Sequence, residues 1–308
     1  MNDTTEPKRP MPIISLRTGD LITRAWTILK KSRGQVVFIT LFGMILPQLG
    51  FTWILGHKAD LAFDEIKAIT AAGKADAGVQ VFYLALEATF RFVSTYGVLL
   101  ILLWGVMLTA YTAFVQIALD RLRRKMPRTT GGLLRNGLKL TLTRTFWATF
   151  FSGIILAFSQ VFPPIAVVVA VLSTMIPVLA VAENGGPIRI LWRSLTLRFA
   201  PKTRLGRWPV FFAMLSLGGV FYLSEFGLSL LVEYSNTFDE SLFLPAFLMS
   251  RAVSGFPFSP IFALADLIDT MIGISLLPLL AASTAVLYVR IQKLGDLKEL
   301  TVPSEPAP

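Results

Sequence analysis

Long stretches of this chain carry no ionisable side chain, and that pattern restricts its fold more than any other feature. Gly34 to Gly56 holds no Asp, Glu, Lys, Arg or His. Phe92 to Leu119 is a second such interval of 28 residues, and Thr145 to Ala182 a third of 38. Trp208 to Val232 is interrupted only by Glu225, and Thr270 to Val289 adds 20 uncharged residues. A helix needs about 20 apolar residues to cross roughly 30 Å of hydrocarbon, and a charge at the centre of that layer costs about 2.5 kcal/mol or more. At about 1.5 Å per residue the third interval would be a helix of roughly 57 Å, too long for one crossing. Pro163-Pro164 lies near its middle and breaks it into two.

The expected fold class is therefore an all-α integral membrane protein with six transmembrane helices. The spans fall at about 35–56, 93–118, 145–162, 164–182, 208–232 and 266–289. Residues 1–17 form an N-terminal tail, 18–300 a single membrane domain, and 301–308 a Pro-rich tail expected to be disordered. The distribution of charge tests this count. Of 29 Lys and Arg, 24 fall on one side of a six-span layout and five on the other. The positive-inside rule then puts both termini in the cytoplasm. A five-span layout would export the group from Arg189 to Arg207. No cleaved signal peptide is expected before the first span.

Composition agrees. Hydrophobic residues make up 54% and charged residues 16%, against roughly 25% charged in soluble domains. The net charge of +10 sits beside apolar spans without a nucleic-acid motif, so it points to anionic lipid headgroups rather than nucleic acid. There is no cysteine and one histidine, His57, which excludes disulfides, thiolate chemistry and a histidine pair within one chain. No Walker loop, GxSxG elbow, HExxH or dinucleotide fingerprint is present. No catalytic residue, metal ligand or cofactor is expected.

Each odd-numbered span follows a basic amphipathic segment, read as a helix on the inner membrane surface. Before the first, Leu21, Ala25, Ile28 and Leu29 share a face, with Arg24, Trp26, Lys30 and Lys31 off it. Before the third, Leu134, Leu138 and Leu142 make a stripe beside Arg135 and Lys139. Before the fifth, Ile188, Leu191, Trp192 and Leu195 make a stripe opposite Arg189, Arg193 and Arg198. The three segments also read as a threefold pseudo-repeat, or as the basic flanks common beside membrane spans. Arg24, Trp26, Arg135, Lys139, Arg189, Trp192, Arg193 and Arg198 are the candidate lipid-contacting residues.

Three acids sit in or beside spans. Glu225 lies inside the fifth, and Asp266 and Asp269 share a face at the start of the sixth. Such acids are functional candidates by default, although these positions also suit the outer headgroup region. Gly153, Gly218, Gly219, Gly273, Ala281 and Ala282 suit close helix packing, and Pro47, Pro177 and Pro278 are expected to kink their helices.

Glu183-Asn184-Gly185-Gly186-Pro187-Ile188, continuing through Leu191, Arg193 and Ser194, resembles an E-x-x-G-x-x-x-A-L-x-R-S segment of a broad group of prokaryotic membrane proteins. The group includes the YciC-like family and the membrane domain attached to some glycerophosphoryl diester phosphodiesterases. Pro278 to Arg290, with Thr284, Leu287, Tyr288 and Arg290, is similar to that group's closing helix, and Leu21 to Gly34 to its opening segment. The resemblance implies a bacterial inner-membrane location and does not imply phosphodiesterase activity. The expected role is a non-enzymatic one in envelope or membrane organisation. It would act through the bilayer, a membrane-protein partner or a second copy of the chain. A small transporter or lipid-handling protein using the intramembrane acids is the alternative.

Overall fold

A computed structural model describes residues 16–50, 78–159, 162–198, 207–236 and 267–301. Regular structure among them is entirely helical. We number the helices α1 (Thr18–Lys31), α2 (Arg33–Thr40), α3 (Gly78–Leu122), α4 (Thr130–Leu140), α5 (Phe146–Ser159), α6 (Pro163–Ser173), α7 (Ile176–Ala182), α8 (Pro187–Leu195), α9 (Trp208–Asn236) and α10 (Leu267–Thr301).

Among the described residues, three helical stretches are long and apolar enough to cross a membrane: Ser94–Leu122, Pro164–Ala182 and Gly273–Leu294. They overlap the second, fourth and sixth expected spans. Trp208–Phe221 is a shorter apolar stretch within the fifth. Between the first two expected spans, Gly78 to Arg91 is helical, as the first turns of α3. His57 and the Phe- and Pro-rich segment 237–260 lie outside the described residues.

Prolines punctuate these helices as their geometry requires. Pro163 opens α6 after an extended Phe162, so the third charge-free interval does break there. Pro187 opens α8 behind an extended Gly186. Thr174 and Met175 separate α6 from α7, whose second residue is Pro177. Pro278 is carried inside α10. Pro47 has no N–H to donate, and the helix widens just upstream of it. Leu41–Ile45 forms a π-turn closed by the Leu46 amide on the Leu41 carbonyl. A second π-turn, Thr141–Thr145, joins α4 to α5 and closes from Phe146 to Thr141. No proline accounts for that one.

The core is built around α3 and α10, which pack against each other. Residues 107–120 of α3 and 281–288 of α10 are buried at every position. They include Phe114, the largest fully buried side chain, and the expected small residues Ala281 and Ala282. Helix α1 lies across α10 and α3, burying Leu21, Ala25, Ile28 and Leu29, the face its periodicity predicts. That face meets protein rather than bilayer. The tight glycines are not those expected. A Cβ on Gly153 or Gly219 would meet nothing within 4 Å, whereas on Gly43 it would lie 2.9 Å from the Ala110 Cβ, and on Gly137 3.0 Å from the Thr109 carbonyl oxygen.

The outer faces of the bundle are apolar. Val37, Phe38 and Phe42 are exposed on the first helical stretch, Val98, Ile101 and Leu102 on α3, Phe150, Ile154 and Phe158 on α5, and Phe212 and Leu223 on α9. Water-soluble monomers rarely leave so many large apolar side chains uncovered on adjacent elements.

Candidate functional site: the basic end of the bundle

Helix α7 ends at Glu183, which leaves the helix in an extended conformation. Its carboxylate then faces two other elements. Oε2 pairs with Arg193 Nη1 of α8 at 2.9 Å, and Oε1 accepts the Tyr288 hydroxyl of α10 at 3.1 Å. Arg144, from the second π-turn, donates Nη1 to the main-chain carbonyl of Glu183 at 3.0 Å and lies 3.5 Å from that of Ala180. A cation there satisfies carbonyls that the end of α7 leaves unpaired and opposes its negative dipole end. Ser194, fully buried, donates its hydroxyl to the Leu172 carbonyl of α6. Glu183, Arg193, Ser194 and Tyr288, separated by up to 105 positions, are thus gathered in one clasp joining α6, α7, α8 and α10. Both oxygens of Glu183 are engaged, so its carboxylate ties the end of α7 to α8 and α10.

Ser194→Ala removes the hydroxyl that ties α8 to α6 and leaves the Leu172 carbonyl with only the Met175 amide at 3.4 Å. A loss of about 1–2 kcal/mol in unfolding free energy is expected. Denaturation of the purified protein in detergent, followed by circular dichroism, measures it, and an unchanged midpoint would contradict the assignment.

The opposite face of α8 has another character. Ile188 and Trp192, one turn apart, point outward, and Trp192 is 55% exposed. The buried side carries Ile190, Leu191 and Ser194. Beyond the helix, Leu197 takes a left-handed conformation (φ 51°), and the Arg198 amide reaches back to the Arg193 carbonyl at 3.0 Å. That bond pattern closes a helix and normally uses glycine. It swings the Arg198 guanidinium to 5.8 Å from the Trp192 ring centre, a cation–π distance. Arg189 is exposed on the same helix.

The other expected lipid-contacting residues divide. Arg24 and Trp26 are exposed on α1, opposite its buried face, and Arg135 and Lys139 are exposed on α4. The leucine stripe of α4 is turned away from the protein. Leu138 and Leu142 are 49% and 61% exposed, while Leu133, Gly137 and Thr141 are buried. Arg193 points inward to Glu183. The backbones of Glu225 and Asp269 belong to α9 and α10. Their side chains, and Asp266 altogether, lie outside the described residues.

Arg144 carried no role in the sequence reading, and neither did the ion pair of Arg128 Nε with Asp120 Oδ2 at 3.1 Å. A basic residue in a loop eight positions after an acid in the last turn of a helix gives no periodic signal. The chain matches no protein-family model, no curated protein and no solved structure.

Proposed function

We propose that this chain is a multi-pass protein of the bacterial inner membrane. It has six transmembrane helices and both termini in the cytoplasm, and acts without catalysis to organise the membrane by engaging anionic lipid at its basic face. The carrying observation is the outward face of α8. Ile188 and Trp192 are apolar and uncovered, yet sit beside Arg189 and Arg198. An aromatic ring with a guanidinium over it suits the headgroup boundary, where one end of the residue is dry and the other wet. Exposed Trp26 and Trp208 likewise have an arginine close by in the chain, Arg24 and Arg207. The 24-to-5 division of basic residues supports the orientation.

Arg189→Gln with Arg198→Gln tests the reading. Basic residues near an anionic surface contribute about 1 kcal/mol each, so the pair is expected to lower the preference for anionic over zwitterionic lipid by roughly tenfold or more. Lipid co-purification and binding in nanodiscs of defined composition report it. An unchanged preference, or tags on the two termini that report opposite sides of the membrane, would defeat the proposal. Loss of a solute flux in variants of Glu225 or Asp266, with lipid preference intact, would favour a transporter instead.

A further inference from the structure

A small open cleft lies between the start of α2, the end of α3 and the start of α4, and its lining includes Ser32, Gln35, Asp120, Arg121, Lys125 and Arg128. We infer that this cleft binds a phosphate-bearing anion.

Its walls are fixed by contacts that leave cationic donors over. Arg128 Nε pairs with Asp120 at 3.1 Å, its Nη1 lies 3.4 Å from Gln116 Oε1, and its own carbonyl is held by the Gln35 amide at 2.7 Å. Asn136 also donates to Gln116 Oε1, at 2.8 Å. Arg121 Nε donates to the Ser32 hydroxyl at 3.2 Å and its Nη2 lies 3.4 Å from the Lys31 carbonyl. A guanidinium has five N–H donors, so both arginines are oriented with donors to spare. The backbone between them is equally defined. Arg124 is left-handed (φ 53°), and the Lys125 amide returns to the Asp120 carbonyl at 2.9 Å. This turn sets the exposed Lys125 against the end of α3. Its ammonium has no partner among the described residues.

Charge selects the ligand. Arg121, Lys125 and Arg128 face one acid, Asp120, which Arg128 already neutralises. Two cations therefore remain uncompensated, and Lys31 and Arg33 flank Ser32 in the chain. Guanidinium forks match the tetrahedral oxygens of phosphate, and a lysine adds a compact charge. The cleft is too shallow to enclose a nucleotide or an organic cofactor. It suits a phosphate group presented at its mouth, whether on a lipid headgroup or a soluble phosphate. The face of α8 plays no part in it, and phosphate binding there does not require the proposed membrane role.

The test titrates the full chain in detergent with pyrophosphate by calorimetry, and in parallel measures capture of phosphatidic acid against phosphatidylcholine in nanodiscs. Salt-sensitive binding is expected in one arm or both. Pyrophosphate binding identifies a soluble source, and phosphatidic acid capture alone a lipid one. Lys125→Gln, at an exposed position that bears no fold contact, is expected to weaken the response about fivefold, and Arg121→Gln with Lys125→Gln about thirtyfold. Arg189→Gln with Arg198→Gln leaves this binding in place. Absence of binding in both arms overturns the inference. So does binding that survives the cleft variants, or that falls equally with the α8 variants.

Discussion

Glu183→Ala is expected to destabilise the protein by about 3 kcal/mol, and Glu183→Gln by roughly half as much. Removing one partner of a fully buried ion pair costs about 3–5 kcal/mol, because the remaining charge is left without solvent or partner. Here the Glu183 side chain is 14% exposed and that of Arg193 28%, so water recovers part of the loss and the lower end applies. Glutamine keeps one oxygen, which can accept from Arg193, while its NH2 can only donate to the Tyr288 hydroxyl, so the difference between the two variants measures what that amide retains without the charge. Glu183→Leu combined with Arg193→Met is expected to restore most of the stability, since an apolar pair of similar volume needs no desolvation. Unfolding midpoints in one detergent, followed by circular dichroism, complete the cycle. A Glu183→Ala protein that melts with the parent would show that the clasp contributes nothing.

Gly137→Val is expected to cost 3 kcal/mol or more and to reduce the amount of folded protein recovered. In a helix interior alanine is better than glycine by about 1 kcal/mol, so a glycine there needs a reason. At Gly137 the reason is a backbone oxygen, 3.0 Å from where a Cβ would sit. A carbonyl of α3 cannot rotate aside as a side chain does. Overpacking by one methyl group costs about 1–3 kcal/mol, and valine adds two more carbons. Gly43 is the contrasting case, because its obstacle is the Ala110 Cβ at 2.9 Å, a side chain that can be deleted. Gly43→Ala should be rescued by Ala110→Gly, whereas no single side-chain deletion on α3 should rescue Gly137→Val. Rescue of both, or of neither, would contradict this reading of the two contacts. Thermal unfolding of the four variants decides it.

The sequence drew the apolar face of α1 and the leucine stripe of α4 alike, as faces lying on the inner membrane surface; the structure turns the first to protein and leaves the second half-buried to exposed. The difference is physical. An apolar stripe marks the protein interior only when the alternative is water. Helix α1 lies across other helices and buries its leucines, so the rule holds there. On α4 the leucines 134, 138 and 142 run along the half-buried and exposed side, and the side against α3 is made of Gly137, Thr141 and Thr145. Close contact between helices favours small residues, and a surface that meets lipid has no need to hide leucine. Helix α8 divides its apolar residues between the two sides, with Ile188 and Trp192 outside and Ile190, Leu191 and Ser194 inside. Proline breaks were readable because they follow from covalent geometry. The clasp was not readable as a unit. Its residues were visible as separate motifs, but only the folded chain brings Glu183 and Tyr288 together, and Arg144 joins them through a carbonyl, which has no signature in a residue pattern.

The π-turn between α4 and α5 makes helix length there a question of rotational phase. Positions four apart on a regular α-helix precess by roughly 40° per step, because four residues exceed one 3.6-residue turn. Gly137, Thr141, Thr145 and Thr149 are all buried, although three such steps would carry the last about 120° out of line. The wide turn at Thr141–Thr145 absorbs nearly one residue's worth of that drift, and Ser152, a turn further on, still meets Ser173 of α6. Losing a single residue from 141–145 would therefore act locally, because a regular α-helix would then place Thr149 eleven residues from Gly137 and only about 20° out of line. Straightening the turn without shortening the chain is the harmful change: it would rotate α5 by roughly 100° and carry Thr149 and Ser152 off the buried side.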